Sequence, residues 1–582
     1  MKKKTLINVL IALIGAVLFD CKDSFLDRPP QGAIDQTSLK SEKGVNALLI
    51  SAYSSLDGWT ESWGAGSPWP QAGSNWIFGD LTSGDAYKGS DAGDQAEIVP
   101  IEKQGSLPTN AYFSAKWRVV YNGVSRTNST LNLLETVPEI SDANRKTITA
   151  EAKFLRAHFH FEAKKMWNKV PYIDEVINAA GGTNPDAFKV PNDKDIWPLI
   201  EADMKFAADN LPAGQPDVGR ANKYAAAAYL AKIYMFQGKL AAAKPLLDDV
   251  IANGVTSDGK KYGLHDCFHD NFNATTKNGK ESVFAMQASV NDGSNDGQNG
   301  NWGDILNFPY TGGPGTCCGF HQPSQNLVNS YKTDGIGLPL LDNFNIADVK
   351  NDQGVKSADA FAPHAGPVDP RLDWTVGRRG IPYLDWGPHP GADWIRDQAF
   401  AGPYSPKKRV FYKAQSKSLS TATGWTQSAS ANNYTLIRFA DVLLWRAEIA
   451  ADAGDLPTAL SLVNQIRNRA KNGCKVQDGG ANAANYQVEP YSSFPDKAFA
   501  IKAVRFERRL ELALEGHRFF DLVRWNATSF LNDYYGVEGT KRGYLKGVTF
   551  TSGKNEYFPI PQDQIINSSI KDAPTLTQNP GY

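Results

Sequence analysis

Two stretches of this 582-residue chain, more than two hundred residues apart, place alanines at the same offsets around a glycine. In "YLAKIYMFQGKLAAAKPLLDDVI", from Tyr229, Ala231 lies seven residues before Gly238 and Ala243 five after it. In "LWRAEIAADAGDLPTALSLVNQI", from Leu444, Ala447 and Ala459 hold the same offsets from Gly454. Leu230, Ala231 and Tyr234 fall on one helical face, as do Ala243, Leu247 and Val250 beyond the glycine. Ala459, Val463 and Ile466 repeat that face in the second stretch. Each therefore reads as two antiparallel helices joined at a glycine turn, with small side chains letting their backbones approach.

This spacing resembles the tetratricopeptide helix pair, a unit that stacks on its neighbours into a superhelix. Further stretches read as helices of the same frame. "ITAEAKFLRAHFHFEAKKMW", from Ile148, sets Ala152, Leu155, Phe159 and Ala163 at helical spacing. "DIWPLIEADMKFAADNL" opens on Asp195, an N-cap candidate, and stops before Pro212. "KAVRFERRLELALEGHRFFDLVRW", from Lys502, carries Val504, Leu510, Leu514 and Phe519 near one stripe and breaks toward Gly516-His517.

Between these blocks, residues 57–110 and 255–435 are rich in Gly, Asn, Asp, Ser, Pro and Trp and carry little helical periodicity. Their turn residues predict ordered loops and short strands. Their tryptophans argue against disorder, which is poor in aromatics. With 41% hydrophobic and 21% charged residues the chain can bury a large core. The reading is a mostly α protein in which residues 21–582 form one body: a helical scaffold with long inserted loops and short strands.

The first twenty residues read as an address. Lys2, Lys3 and Lys4 precede an apolar run from Leu6 to Phe19. A helical membrane span takes about 20 apolar residues, so this run matches the core of a secretory signal instead. Cys21 directly after it matches a lipoprotein signal, in which the thiol is acylated and becomes the new N-terminus. Asp20 departs from the small residue usual at that position. A formal net charge of −1 argues against a broad polyanion surface and hence against nucleic acid as partner.

Cys21, Cys267, Cys317, Cys318 and Cys474 show no CxxC pairing, which excludes the usual structural zinc pattern. The adjacent Cys317 and Cys318 read as buried thiols, because neighbours rarely meet disulfide geometry, with a strained vicinal disulfide as the alternative. "DGSNDG" at 292–297 begins like a calcium loop but has Gly303 where the bidentate glutamate belongs, so a turn cluster is expected. In "HFHFE", His158, His160 and Glu162 alternate, and neighbours two apart diverge on a helix, so the three do not form a metal face. Around His517, the residues Glu507, Arg508, Arg509, Glu511, Glu515 and Arg518 are expected to form structural ion pairs. No metal or cofactor is called for.

Several motifs together resemble the SusD/RagB family. They are "AVRFERRLELALEGHRFFDLVRW" and the closing "YFPIPQDQIINSSIKDAPTLTQNPGY", with "CKDSFLDRPP", "GDLTSGDAYKG" at 79–89 and "EAKFLRAHFHFE". The resemblance covers nearly all of the chain after residue 20. It implies a lipid-anchored outer-membrane protein, facing outside, that is not an enzyme. Such a protein binds oligosaccharide or polysaccharide and passes it to a partner TonB-dependent SusC-like barrel. A secreted glycoside hydrolase, needing only a carboxylate pair, and a tetratricopeptide adaptor for proteins are the alternatives.

A sugar ring has an apolar face and a hydroxyl rim, so its site needs flat aromatics beside amides, carboxylates and guanidinium groups. Three loop clusters supply them. The first holds Trp59, Trp63, Trp69 and Trp76 and ends at Asp80. The second holds Trp302, Asp304, Asn307 and Tyr310. The third holds Trp374, Arg378, Arg379, Tyr383, Trp386 and Trp394. The family's use of early and middle loops ranks Trp76, Trp302 and Tyr310 first. Asn307, Trp386 and Trp394 join them, and Asp80, Asp85 and Lys88 are candidates to orient hydroxyls. Any one of these tryptophans is more often packed under a loop than shown to ligand.

Overall fold

A computed structural model describes residues 39–59, 67–294, 297–311, 313–314, 317–421 and 429–582. The leading apolar run, Cys21, Trp63 and Asp296 lie outside the described residues.

Long helices form where the apolar spacing is helical, most of them started by a polar cap. In chain order they are α1 (Glu42–Ser54), α2 (Ala111–Glu135), α3 (Asp142–Trp167) and α4 (Trp197–Asn210). Then come α5 (Lys223–Phe236), α6 (Leu240–Asn253), α7 (Phe439–Ala453), α8 (Leu456–Asn472) and α9 (Lys497–Leu512). Side chains of Ser41, Asn110, Ser141, Asn222, Asp455 and Asp496 each accept a backbone N–H at a helix start. At α4 the cap position is Ile196, one residue beyond the expected Asp195, which accepts from the Trp197 N–H at 3.3 Å. Pro198 occupies the first turn there, where a missing N–H costs nothing.

Each of α2 to α8 packs on the next, and α9 lies against both α7 and α8. The two alanine–glycine stretches are the pairs α5–α6 and α7–α8. Ala231, Ala243, Ala447 and Ala459 are all fully buried, and Gly238 and Gly454 turn with φ of 69° and 76°. Although more than 180 residues of chain separate α6 from α7, the two helices touch, so the stack continues across the insert. This is the tetratricopeptide-like arrangement expected from the spacing.

The insert between α6 and α7 has little regular structure but is well packed. Strand β1 (Ala86–Gly89) pairs antiparallel with β3 (Phe320–Pro323), and β2 (Ser282–Met286) with β4 (Tyr434–Arg438). Its polar side chains are often inside: Gln325, Asn326, Asn329, Arg371 and Asp373 are buried. Irregular backbone taken from water must find partners for its N–H and C=O groups: Gln325 donates to the Val349 carbonyl and Asn329 accepts the Val349 N–H, while Asn326, Arg371 and Asp373 pair with charged side chains. Buried apolar residues from Val45 to Leu576 join in one continuous core. A separate small cluster, Phe308, Tyr383, Trp394, Val410 and Phe411, lies wholly within the insert.

Cys317 and Cys318 are joined as a disulfide, not left as two thiols. The peptide between them is cis. Among the described residues no helix is long and apolar enough to cross a membrane.

Candidate functional site

The charged C-terminal stretch turns inward. Glu507 and Glu511, four apart on α9, share one buried face. Glu507 meets Arg371 at 2.7 Å and Arg467 at 2.9 Å. Glu511 meets Arg371 and Arg438, each at 3.0 Å, and also Arg469. Beyond the helix end, Glu515 binds Lys408 at 2.7 Å and Arg438 at 2.9 Å. Arg508 joins Asp521 at 2.7 Å and Asp441 at 2.9 Å. Burial alone would raise the Glu511 carboxyl, but Arg469, Arg438 and Arg371 outweigh it and hold it well below the carboxylate range. At Glu515, burial is likewise outweighed by Arg438 and Lys408, leaving its pKa at about 2. Burial lowers His517 to about 4, so it is neutral at pH 7. These groups are a buried structural ion network, and the cavity that includes Lys408 holds only about 20 Å³.

Most of the candidates from the first two clusters belong to this interior. Trp76 is fully buried, donates its Nε1–H to the Gly303 carbonyl at 3.1 Å, and packs on Phe320 and His321. Trp302 is buried, edge-on to Trp59 at 5.3 Å, and donates to the Gly297 carbonyl at 2.8 Å. Trp69 is also buried, donating to Gln95 and the Tyr112 hydroxyl at 3.0 Å. Asp80 lies 3.0 Å from His321 Nε2 and accepts the Gly516 N–H at 3.0 Å. Its pKa is raised by burial, against the lowering effect of His321. Asp85 pairs with Arg509 at 2.8 Å. Lys88 donates to the carbonyls of Asp91 and Asp94 between the rings of Phe320 and Phe400, and burial lowers its pKa to about 8.

The stretch "GDLTSGDAYKG" is therefore bolted to the C-terminal signature. The backbones nearly touch there: a Cβ on Gly79 would stand 2.1 Å from the Gly516 carbonyl oxygen, and one on Gly516 2.0 Å from that of Ser74. Asn307 is buried as well and donates to Asp304 at 3.4 Å, beside a cavity of about 20 Å³. That volume suits one water and no sugar ring.

Three candidates come together elsewhere, around the small aromatic cluster of the insert. Trp394 is buried at its centre, edge-on to His389 at 5.1 Å and Tyr383 at 5.4 Å. Trp386 packs on the cluster but is half-buried, held by an Nε1–H bond to the Phe411 carbonyl at 3.0 Å. Tyr310, also half-buried, is fixed by its N–H to the Trp394 carbonyl at 3.0 Å. Its ring lies 5.1 Å from the Arg396 guanidinium. Arg396 is in turn held by Asp91 and Asp94, each at 2.8 Å. Flat rings thus stand beside oriented cationic and anionic groups, the combination a sugar face and rim require. Arg396 escaped the sequence reading; "DWIRD" marks it as an arginine between acids, which is ordinary for a solvated loop. Arg378 and Arg379 of the same cluster are buried, Arg378 against Asp373 at 2.6 Å.

Two larger clefts contain none of the predicted residues. One, about 430 Å³, lies where α2 meets the 171–190 and 564–576 segments and includes Trp117, Tyr121 and Phe188. The other, about 500 Å³, includes Lys103, Lys546 and Lys554. The discounted motifs have internal partners. His158 bonds Tyr229 at 2.7 Å. His160 bonds the Arg156 carbonyl at 3.1 Å and accepts from Ile173 N–H, while Glu162 binds Lys165 at 2.6 Å. Asp292 accepts from Ser294 N–H at 3.0 Å and Asn299 at 2.8 Å, as a turn residue does.

A stack of helix pairs with a long loop-rich insert defines a protein of the tetratricopeptide-like helical class. The comparisons narrow that class. A family model described as "SusD family" matches residues 280–582, and one described as "Starch-binding associating with outer membrane" matches residues 24–235. The chain belongs to the SusD family. It is 24% identical to SusD-like protein P2 of Formosa agariphila, over 100% of this chain and 99% of the relative. It is 29% identical to a SusD-like protein of Bacteroides ovatus, over 49% of this chain and 50% of that one. Among solved structures, a laminarin-binding SusD-like protein superposes with a TM-score of 0.63 at 23% identity, covering 93% of this chain and 100% of that one. Surface glycan-binding protein A of Bacteroides thetaiotaomicron, in complex with laminarihexaose, gives 0.64 at 19% identity over 92% and 99%. These likenesses show the fold.

Proposed function

We propose that the protein is a non-catalytic glycan-binding lipoprotein of the outer membrane. Cys21 carries the acyl anchor, and residues 21–582 form the body it tethers on the outer face. The body captures oligosaccharide or polysaccharide and delivers it to a TonB-dependent SusC-like barrel. The carrying observation is the aromatic cluster of the insert: Trp386 packs on it, and the backbone of its Trp394 holds Tyr310, whose ring lies 5.1 Å from Arg396. The near-full-length likeness to a laminarin-binding protein supports a glucan as the first ligand to try.

Affinity electrophoresis over a polysaccharide panel, with product analysis, tests this reading. Retardation without new reducing ends is expected. New reducing ends point to a hydrolase instead, and neither result points to a protein adaptor. Loss of binding on Phe188→Ala, with Trp386→Ala unaffected, moves the site to the aromatic cleft at α2. Mild-detergent extraction from native membranes is expected to bring down a barrel transporter; its absence counts against delivery.

A further inference from the structure

We propose that Cys267 and Cys474 form a disulfide that locks the start of the long insert to the end of helix α8. Cys267 immediately precedes the short helical turn Phe268–Phe272, and Cys474 lies two residues past the end of α8. More than two hundred residues separate them. The fold nevertheless presses their backbones together: a Cβ on Gly473 would stand 2.4 Å from the Asp266 carbonyl oxygen. One indole clamps both segments. Trp374 donates its Nε1–H to the Cys474 carbonyl at 2.9 Å and stacks its ring on His269 at 5.0 Å. Arg469, on the last turn of α8, lies 4.9 Å from the Phe268 ring. The structure holds both as free thiols, with the Cys474 side chain a hydrogen-bond partner of Cys267 across this contact. Burial and the Cys474 thiol together push the Cys267 thiol up to about 12.

Bond formation needs an oxidant, here a disulfide carrier of the exported compartment or a low-molecular-weight disulfide. Cys474 is exposed and Cys267 half-buried, so the order follows. The Cys474 thiolate attacks the carrier disulfide, forming a mixed disulfide and releasing one carrier thiol. Cys267, losing its proton to solvent, attacks the Cys474 sulfur and releases the second carrier thiol. Two protein thiols are oxidised and one carrier disulfide is reduced to two thiols. Cytosolic chains keep such pairs reduced, so formation in the cell rests on the proposed export. The pairing itself does not.

Two samples separate those points. Trypsin cuts after Lys261, Lys277, Lys471 and Lys475, so the bridge joins residues 262–277 to residues 472–475. In full-length protein incubated with oxidised glutathione, non-reducing peptide mapping is expected to find that linked pair. It should vanish with reductant and in Cys474→Ser and Cys267→Ser. Both peptides recovered as free, alkylatable thiols after this incubation would overturn the proposal. In protein from native membranes, alkylated before lysis, the linked pair is again expected. Free thiols there alongside a bridge in glutathione would overturn formation in the cell, and with it the export reading, while sparing the pairing. The bridged protein should also melt about 2 °C or more above Cys474→Ser, with the difference abolished by reductant.

Discussion

The two ends of the chain's chemistry make opposite use of similar residues. Where α9 meets the "GDLTSGDAYKG" stretch, carboxylates and guanidinium groups are buried, multiply paired and closed to ligand. Around Trp394, the charges are fewer and partly solvated, and the aromatic rings reach the surface. A dense run of ionisable residues marked the frame, and a sparse loop marked the candidate site. Buried charges must be matched by counter-charges, here several to each group, which puts many ionisable residues close together in the sequence. A sugar platform needs only a supported ring and a few oriented polar groups, which many loop sequences satisfy.

The largest effects should fall on the frame. Arg438→Ala leaves Glu511, Glu515 and Glu281 short of a partner and is expected to cost about 3–5 kcal/mol of stability, read by denaturant unfolding. Trp76→Ala should cost about 3–5 kcal/mol while leaving glycan affinity per folded molecule unchanged; a selective loss of affinity would put Trp76 in the site after all. Gly516→Ala forces φ of 75° on an alanine whose Cβ meets the Ser74 carbonyl, and a loss of about 1–3 kcal/mol in thermal unfolding is expected.

Acid should act on the same network. Glu515 is depressed to about 2 from an unfolded value of about 4.3, so its contribution is complete above that value and is lost as pH falls toward 2. Glu515→Gln should flatten the stability profile over that window. Least disruptive to the fold are Trp386→Ala and Tyr310→Ala, each expected to weaken glycan binding about 2- to 12-fold by calorimetry with little change in melting. A fold-wide loss instead would make this surface part of the frame.

Much of the frame was legible because its rules are local and periodic. Alanines seven before and five after a glycine suit a close helix pair, and α5–α6 and α7–α8 are such pairs. The break at Gly516 and the ion pairs of Glu507 and Glu511 followed from spacing and charge. The fate of individual tryptophans did not. Trp76, Trp302 and Trp386 all sit among polar and glycine residues, yet two are inside and one is half-buried. What separates them is which distant segment lands on top: Phe320 and His321 cover Trp76, whereas Trp386 rests on Phe411 with its other side unburied in part. That is information of the tertiary fold, carried by residues hundreds of positions away. Asp80, Asp85 and Lys88 misled for the same reason, since a buried counter-charge and a solvated hydroxyl binder look alike in one dimension.

The attachment of Asp80 and Asp85 to Gly516 and Arg509 also governs timing. During synthesis the early aspartates emerge long before the residues that neutralise them, and loop closure over more than four hundred positions is slow. Until Arg509 is made, the buried Asp85 lacks its guanidinium partner and the Gly79–Gly516 contact cannot close. Residues from Arg509 onward thus serve as the latch on a segment made more than four hundred positions earlier.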